Sequence, residues 1–320
     1  MKKNILTLTF CLATLCLTGC RGKQTSDPTS SKDTVELNAN TVPSSLDSVA
    51  DQPDLPTQDK LNTIQRERTF RTNEQEEGYD NYLYCTNSLQ VEWPEAIAHC
   101  GNIKPLQDSL LVHLFNAPRA KTFEKAAEYF LSRPLFLEFE INSPYKVINP
   151  NKIKYDEGTN KWRTHVSAEL AMTSPELAVF RIMKSGYSGG AHGWYGATYL
   201  IFDKQASRIW SIQDAFLPQK RKQLLRLVNR RIEKRIKQNT ALLPATALTT
   251  FYPNKQGITF VFQPYEVASY AEGIVEINVP YAELTGMLHP DFKACLIQTA
   301  STSCRSLAIN REIKRRATQR

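Results

Sequence analysis

The sequence predicts an α+β fold, antiparallel sheets with segregated helices in two subdomains, carried behind a long polar leader. Strand-like segments follow one another with short turns between them, and the helical segments are few and grouped. No regular strand–helix–strand alternation runs along the chain, which argues against a doubly wound parallel sheet. The portion with foldable composition, about 240 residues, is long enough to bury a core of its own.

At the N-terminus Lys2 and Lys3 precede an apolar run over residues 5–17, followed by Leu17-Thr18-Gly19-Cys20. A basic start, a short apolar run and small residues read as a secretory signal peptide over 1–19. The run is shorter than the roughly 20 apolar residues a spanning helix needs. Leu-Thr-Gly-Cys resembles a bacterial lipobox, which implies cleavage before Cys20 and lipidation of that residue. Acyl chains would anchor the protein to a membrane without spanning it. Arg21-Gly22-Lys23 carries neither an Asp after the cysteine nor an acidic cluster, so the expected location is the outer membrane, facing the periplasm. Residues 20–78 are rich in Ser, Thr, Asp, Asn, Pro and Gln, with Phe70 as the only aromatic. Such a composition predicts a disordered tether. The tether is net acidic, so the chain's excess of +8 resides in the folded part.

Residues 79–186 are expected to form a small N-terminal α+β domain. Residues 82–91 read as a strand ending at Trp93-Pro94. Residues 105–115 read as a helix, with Leu106, Leu110, Leu111, Leu114 and Phe115 at helical spacing and Pro105 suited to a first turn. Residues 123–131 form a second helix capped by Thr122. Strict alternation over 135–141 predicts a strand, and 145–148 a short one. Residues 162–172 and 177–183 pair around the turn Thr173-Ser174-Pro175. A second domain, 187–290, opens with a hairpin of 199–202 and 208–212. Residues 220–237 are an amphipathic helix: Leu224, Leu225, Val228, Ile232 and Ile236 line one face. Arg221, Lys222, Arg226, Arg230, Arg231, Lys234 and Arg235 line the other. Strands at 258–262 and 275–279 follow, and 291–320 is a basic C-terminal extension.

After the signal and Cys20, four cysteines remain: Cys85, Cys100, Cys295 and Cys304. An even number in an exported chain points to disulfides. Of the possible pairings the local ones are favoured, Cys85 with Cys100 and Cys295 with Cys304, each closing a short loop worth roughly 3 kcal/mol. Paired CxxC spacing and clustered histidines are absent, so no metal and no cofactor is expected. Residues 185–203 place five glycines around His192 ahead of an apolar run. A phosphate loop would be followed by a helix, but a strand-like run follows here. Gly186-Tyr187-Ser188-Gly189-Gly190 has the spacing of a nucleophile elbow without the helix that should come after it. The glycines therefore read first as a turn.

Tyr187-Ser188-Gly189-Gly190-Ala191-His192-Gly193 resembles the Y-x-GGAHG signature of the RsiV-like domain family, bacterial envelope proteins of unknown function. A second block agrees: Phe260-Val261-Phe262-Gln263-Pro264-Tyr265-Glu266, then Tyr270-Ala271-Glu272-Gly273, with Pro280-Tyr281 and Leu284 at the end. The resemblance covers about residues 187 to 285 and, by order of elements alone, the small domain before it. In one branch of the family the domain belongs to a membrane-spanning anti-sigma factor that binds lysozyme. In another it accompanies a polysaccharide deacetylase. This chain has neither a sigma-binding segment nor a deacetylase metal set, so neither activity carries over.

What remains is a lipid-anchored envelope protein with a non-enzymatic binding ectodomain, its ligand a protein such as lysozyme or a cell-wall glycan such as peptidoglycan. The expected surface is Gly189, Gly190, His192 and Trp194 with Tyr265, Glu266, Tyr270 and Glu272. One alternative is an envelope hydrolase using Ser188, or the Glu266/Glu272 pair, with His192. Another is a structural lipoprotein whose basic helix meets anionic envelope polymers. Nucleic acid is not an expected partner of an exported chain.

Overall fold

The computed structural model describes residues 55–73, 82–116, 120–139, 144–149, 160–236 and 243–296. All of them lie in one compact unit, Pro53–Arg320. The expected signal peptide, Cys20, the leader up to residue 54 and Cys304 lie outside the described residues.

The fold is α+β, and its centre is a seven-stranded sheet. Its strands are β1 (Lys60–Thr72), β2 (Leu83–Ala96), β3 (Tyr145–Ile148), β4 (Asn160–Thr173), β5 (Leu177–Tyr187), β6 (Trp194–Asp203) and β7 (Arg208–Trp210). In space they run β3-β1-β2-β4-β5-β6-β7. Neighbours are antiparallel except β2 and β4, which pair in parallel. A parallel pair needs a long crossover. Here it carries the helices α1 (Lys104–Phe115) and α2 (Phe123–Leu131). Those helices cover one sheet face, packing Leu106, Leu110, Ala126 and Ala127 against Leu89, Val91, Phe180, Ile182 and Phe202. The other face is covered at its β5–β7 end by α3 (Ile212–Ala215), α4 (Arg221–Ile236) and a second sheet. That sheet has the order β10-β9-β8, from β8 (Thr250–Pro253), β9 (Gly257–Phe262) and β10 (Val275–Pro280). Successive strand residues face opposite sides. Val179 therefore joins the core under α4 while its neighbour Phe180 joins the core under α1.

Several sequence expectations are corrected. The tether was expected to reach residue 78, yet Lys60–Thr72 is a full strand paired along β2. Its helix-side face is not an apolar stripe: Arg66 and Arg68 reach α2 and form paired hydrogen bonds with Glu124 (2.6 and 2.9 Å) and Glu128 (2.7 and 3.1 Å). The expected boundary between 186 and 187 cuts the last residue from β5, which is paired with β6 from Leu177 to Gly186. Among the described residues three apolar clusters pack on this one sheet. The extension expected from 291 is also part of the fold where it is described: 290–296 is helical, and Phe292 and Leu296 are buried under Trp210 and Phe251.

Residues 135–141 were expected to be a strand, but Leu135–Phe139 is a 3₁₀ helix. Buried Asn87 donates to the carbonyls of Phe130 (3.0 Å) and Arg133 (2.7 Å), and the Leu135 N–H reaches the Cys85 sulfur at 3.1 Å. Side chains of β2 thus hold the end of α2, the turn after it and the first residue of the 3₁₀ helix. The same geometry overturns the Cys85–Cys100 disulfide, since no bond joins the two sulfurs. Cys85 sits near the start of β2 and Cys100 beyond its end. The strand between them spans roughly 3.3 Å per residue, far beyond the about 7 Å Cα separation a bridge allows.

Candidate functional site

The 189–194 loop joins β5 to β6 at one end of the large sheet, and the segment between β9 and β10 folds against it. Gly189 and Gly190 both have positive φ, 89° and 86°, so the glycine pair serves the turn. Tyr187 donates its hydroxyl to the Gly190 carbonyl at 3.0 Å and ties the loop to its own strand. Trp194 lies directly over Gly186: a Cβ there would meet the indole at 2.6 Å. Gly193 is equally constrained, because a Cβ would meet the Gly186 carbonyl at 2.5 Å.

From the other side, Gln263 docks on β6. At Ala197 that strand has no strand partner on its outer edge, since β7 pairs only with Ile201, Phe202 and Asp203. The Gln263 amide takes the place of one. Its Oε1 accepts from the Ala197 N–H at 2.8 Å and its Nε2 donates to the Ala197 carbonyl at 2.8 Å. A reverse turn follows, with Glu266 N–H donating to the Gln263 carbonyl at 3.0 Å. Pro264 occupies its second position and Tyr265, at φ 72°, its third. This is the type II pattern, whose third position favours glycine. The Glu266 carboxylate closes the turn by accepting from Gln263 N–H at 2.7 Å.

This docking brings the expected aromatic residues together. The Tyr270 ring stacks on His192, centroids 3.8 Å apart and 19° from parallel. Tyr195 meets Tyr270 edge to face at 5.5 Å. The His192 Nδ1 lies 2.8 Å from the Gly193 carbonyl, to which it can only donate. In the neutral ring Nε2 then accepts from the Tyr265 hydroxyl at 3.2 Å. Tyr265 remains 62% exposed and Trp194 43%. Beside the loop a cavity of about 320 Å³ is lined by Arg163, His165, Ser185, Gly186, Gly193, Trp194, Tyr195 and Tyr270. His165 receives a 2.9 Å contact from Ser88 on its Nδ1, and burial lowers its pKa.

The hydrolase constellation is not assembled. Both ring nitrogens of His192 are engaged elsewhere, and no hydrogen bond joins His192 to Ser188. Glu266 caps a turn, while Glu272 ends the exposed turn Tyr270–Glu272. Along α4, Arg221, Arg231 and Arg235 are tied to Gln213, Glu283 and the Glu276 carbonyl. Arg226 and Arg230 line a shallow depression that also contains Glu233. Among the described residues no group of three or more His, Cys, Asp or Glu could hold a metal ion, and no helix is long and apolar enough to cross a membrane.

Residues 213–282 match the family described as protein of unknown function, DUF3298. The matched DUF3298 segment contains α4, the second sheet and the Gln263–Tyr270 half of the site, but not the 189–194 loop. A solved member of the DUF3298 family from Bacteroides fragilis is similar in fold, at 21% identity and TM-score 0.53, covering 74% of this chain and 96% of that one. A DUF3298 family protein from Pseudomonas aeruginosa aligns at 14% identity and TM-score 0.47, covering 74% and 98%. No curated protein matches the chain. Sequence reasoning singled out both halves of the aromatic cluster. It missed Gln263 as the residue that joins them, and Arg163, His165 and Tyr195 as cavity walls. Gln263 could have been suspected from its place before Pro264, three residues ahead of Glu266.

Proposed function

We propose that this chain is the binding ectodomain of an exported, lipid-anchored envelope protein of the RsiV-like type, and that its ligand is a cell-wall glycan. Leu17-Thr18-Gly19-Cys20 supports the anchor and a periplasm-facing outer-membrane location. The observation that carries the binding role is Tyr265. It is a large aromatic residue at φ 72° that leaves most of its ring in solvent while its hydroxyl holds His192. Backbone strain of this kind costs on the order of 1–3 kcal/mol and concentrates at ligand sites. Next to it a cavity is lined by Trp194, Tyr195 and Tyr270 with Arg163, His165 and Ser185, aromatic walls with a few polar groups, the composition of a small-ligand pocket. Aromatic faces suit the apolar faces of sugar rings, and the glycines beside them let a chain approach the backbone closely.

The test is sedimentation of the soluble ectodomain with purified peptidoglycan, with lysozyme as a parallel protein ligand. Saturable binding lost in the Trp194→Ala/Tyr265→Ala double variant, with the fold retained, is the expected result. Binding unchanged in that variant would remove the surface assignment, and capture of lysozyme without peptidoglycan would replace the glycan with a protein ligand.

A further inference from the structure

The cavity beside Trp194 has a charge character that the aromatic wall alone does not explain. Across three strands the ladder sets Ser88, His165 and Ser185 side by side, and Ser185 is in turn opposite Tyr195. This row of hydrogen-bonding side chains runs to the edge of the Tyr270 ring. Ser88 holds the His165 Nδ1, leaving Nε2 without a partner. Two residues further along β4, on the same face, Arg163 completes the wall. Its guanidinium lies 6.0 Å from the Tyr187 ring centre and forms no ion pair among the described residues.

Among the described residues no Asp or Glu lines this cavity, and Arg163 is the only formally charged one that does. A cavity with one unpaired guanidinium and no carboxylate selects an anion. The planar fork of Arg matches a carboxylate with two parallel hydrogen bonds. At about 320 Å³ the space is near the lower end of ligand pockets, room for one substituted sugar ring. The flat indole over Gly186 supplies a stacking surface at its mouth.

We propose that this cavity takes the carboxylate-bearing sugar of an anionic glycan, its carboxylate paired with Arg163 and its ring stacked on Trp194. The assignment rests on the glycan-binding reading above and narrows it. Ser185, His165 and Tyr195 serve the sugar hydroxyl and amide groups. The carboxylate supplies the preference over a neutral chain of the same length.

The experiment is calorimetric titration of the ectodomain with two probes of equal length. One is an oligomer alternating N-acetylglucosamine and N-acetylmuramic acid with its lactyl carboxylates free. The other is a neutral N-acetylglucosamine oligomer. The acidic probe should bind roughly tenfold tighter at low salt, the scale of one charge-assisted hydrogen-bonded pair, and the preference should shrink as salt is raised. Arg163→Gln should abolish the preference, so that the two probes bind this variant alike, with an unaltered melting temperature. Trp194→Ala should weaken both probes. Equal affinity for the two probes, or a preference that survives in Arg163→Gln, overturns the carboxylate assignment while glycan binding stands. Binding of neither probe to the folded protein overturns the glycan reading and this assignment with it.

Discussion

Gln263→Ala removes the side chain that completes the edge of β6, and its cost can be worked from the structure. Ala197 is 3% exposed, and Gln263 satisfies both of its backbone groups on that edge. Without the amide, one buried N–H and one buried carbonyl lose their partners, each costing about 1–3 kcal/mol. Water can reach the strand edge in part once the side chain is gone, which favours the lower half of that range. The sum is about 3 kcal/mol. For a folded unit of this size that corresponds to a fall in melting temperature of roughly 6–12 °C. Gln263→Glu is the sharper control. A carboxylate can still accept from the Ala197 N–H, but it sets negative charge against the Ala197 carbonyl, so at pH 7 it should rescue little of the loss. Thermal melts followed by circular dichroism, checked by urea midpoints, provide the readout. A Gln263→Ala protein melting within 2 °C of the parent would refute the idea that this amide stands in for a strand.

Two further outcomes follow from strain and burial. Tyr265→Gly and Tyr265→Ala both delete the ring, but only Gly relaxes φ 72°. An L side chain in that region costs about 1–2 kcal/mol, while Gly loses about 0.4–1 kcal/mol through its freer unfolded chain. The Gly variant should therefore be the more stable of the two by about 0.5–1 kcal/mol in urea denaturation, and an Ala variant equal or superior to it would deny the strain. Lys184 points to the α1 side of the sheet, paired at Val166 and Gly196, and burial lowers its pKa from 10.5. The unfolded chain thus holds this proton more tightly, and the native state loses stability as pH falls from 10.5 through the lowered value. Lys184→Met should be more stable than the parent at pH 7 in paired melts, with the gap closing as pH rises toward 10.5. A gap that does not change with pH would assign the effect to packing alone.

Most of the elements were legible because their signals are local. Thr122 caps α2 by accepting from Lys125 N–H, as its position before Phe123 implies. The Leu pattern of α1 gives five buried residues on one face. The apolar alternation of β10 matches its burial residue by residue. What failed to read was decided at long range. The inward side chains of β1 include two arginines, and only the glutamates of α2, some 60 residues away, make that face a packed one. The alternation at 135–139 is as regular as that of a strand, but Asn87 holds the Arg133 carbonyl just before it and Cys85 takes the Leu135 N–H. The cysteines sat at plausible loop spacing until β2 proved to be extended between them. At the site, the aromatic residues and the glycines were visible in the sequence. Their meeting was not, because it depends on one glutamine binding a strand edge 66 residues away.

The case for a binding surface at this corner comes from where the local rules are broken. Four described non-glycine residues have positive φ: His99, Asn116, Ser207 and Tyr265. Asn116 is the C-cap of α1. Ser207 closes the β6–β7 hairpin and His99 the turn after β2. These are small or polar residues of the kind that tolerate such positions. Tyr265 is not, and it stands where a type II turn favours glycine. At the same end of the sheet the chain also leaves Tyr265 exposed against His192, sets an exposed Trp194 over a glycine that admits no Cβ, and lines a cavity with a guanidinium that forms no ion pair among the described residues. Any one of these would be unremarkable on a protein surface. A sequence that is consistent across levels elsewhere and departs from it repeatedly at one place is expected to do so at a functional site. The departures share a direction as well: each exposes a flat aromatic face or a free donor to solvent instead of burying it, and stability alone gives no reason to retain them.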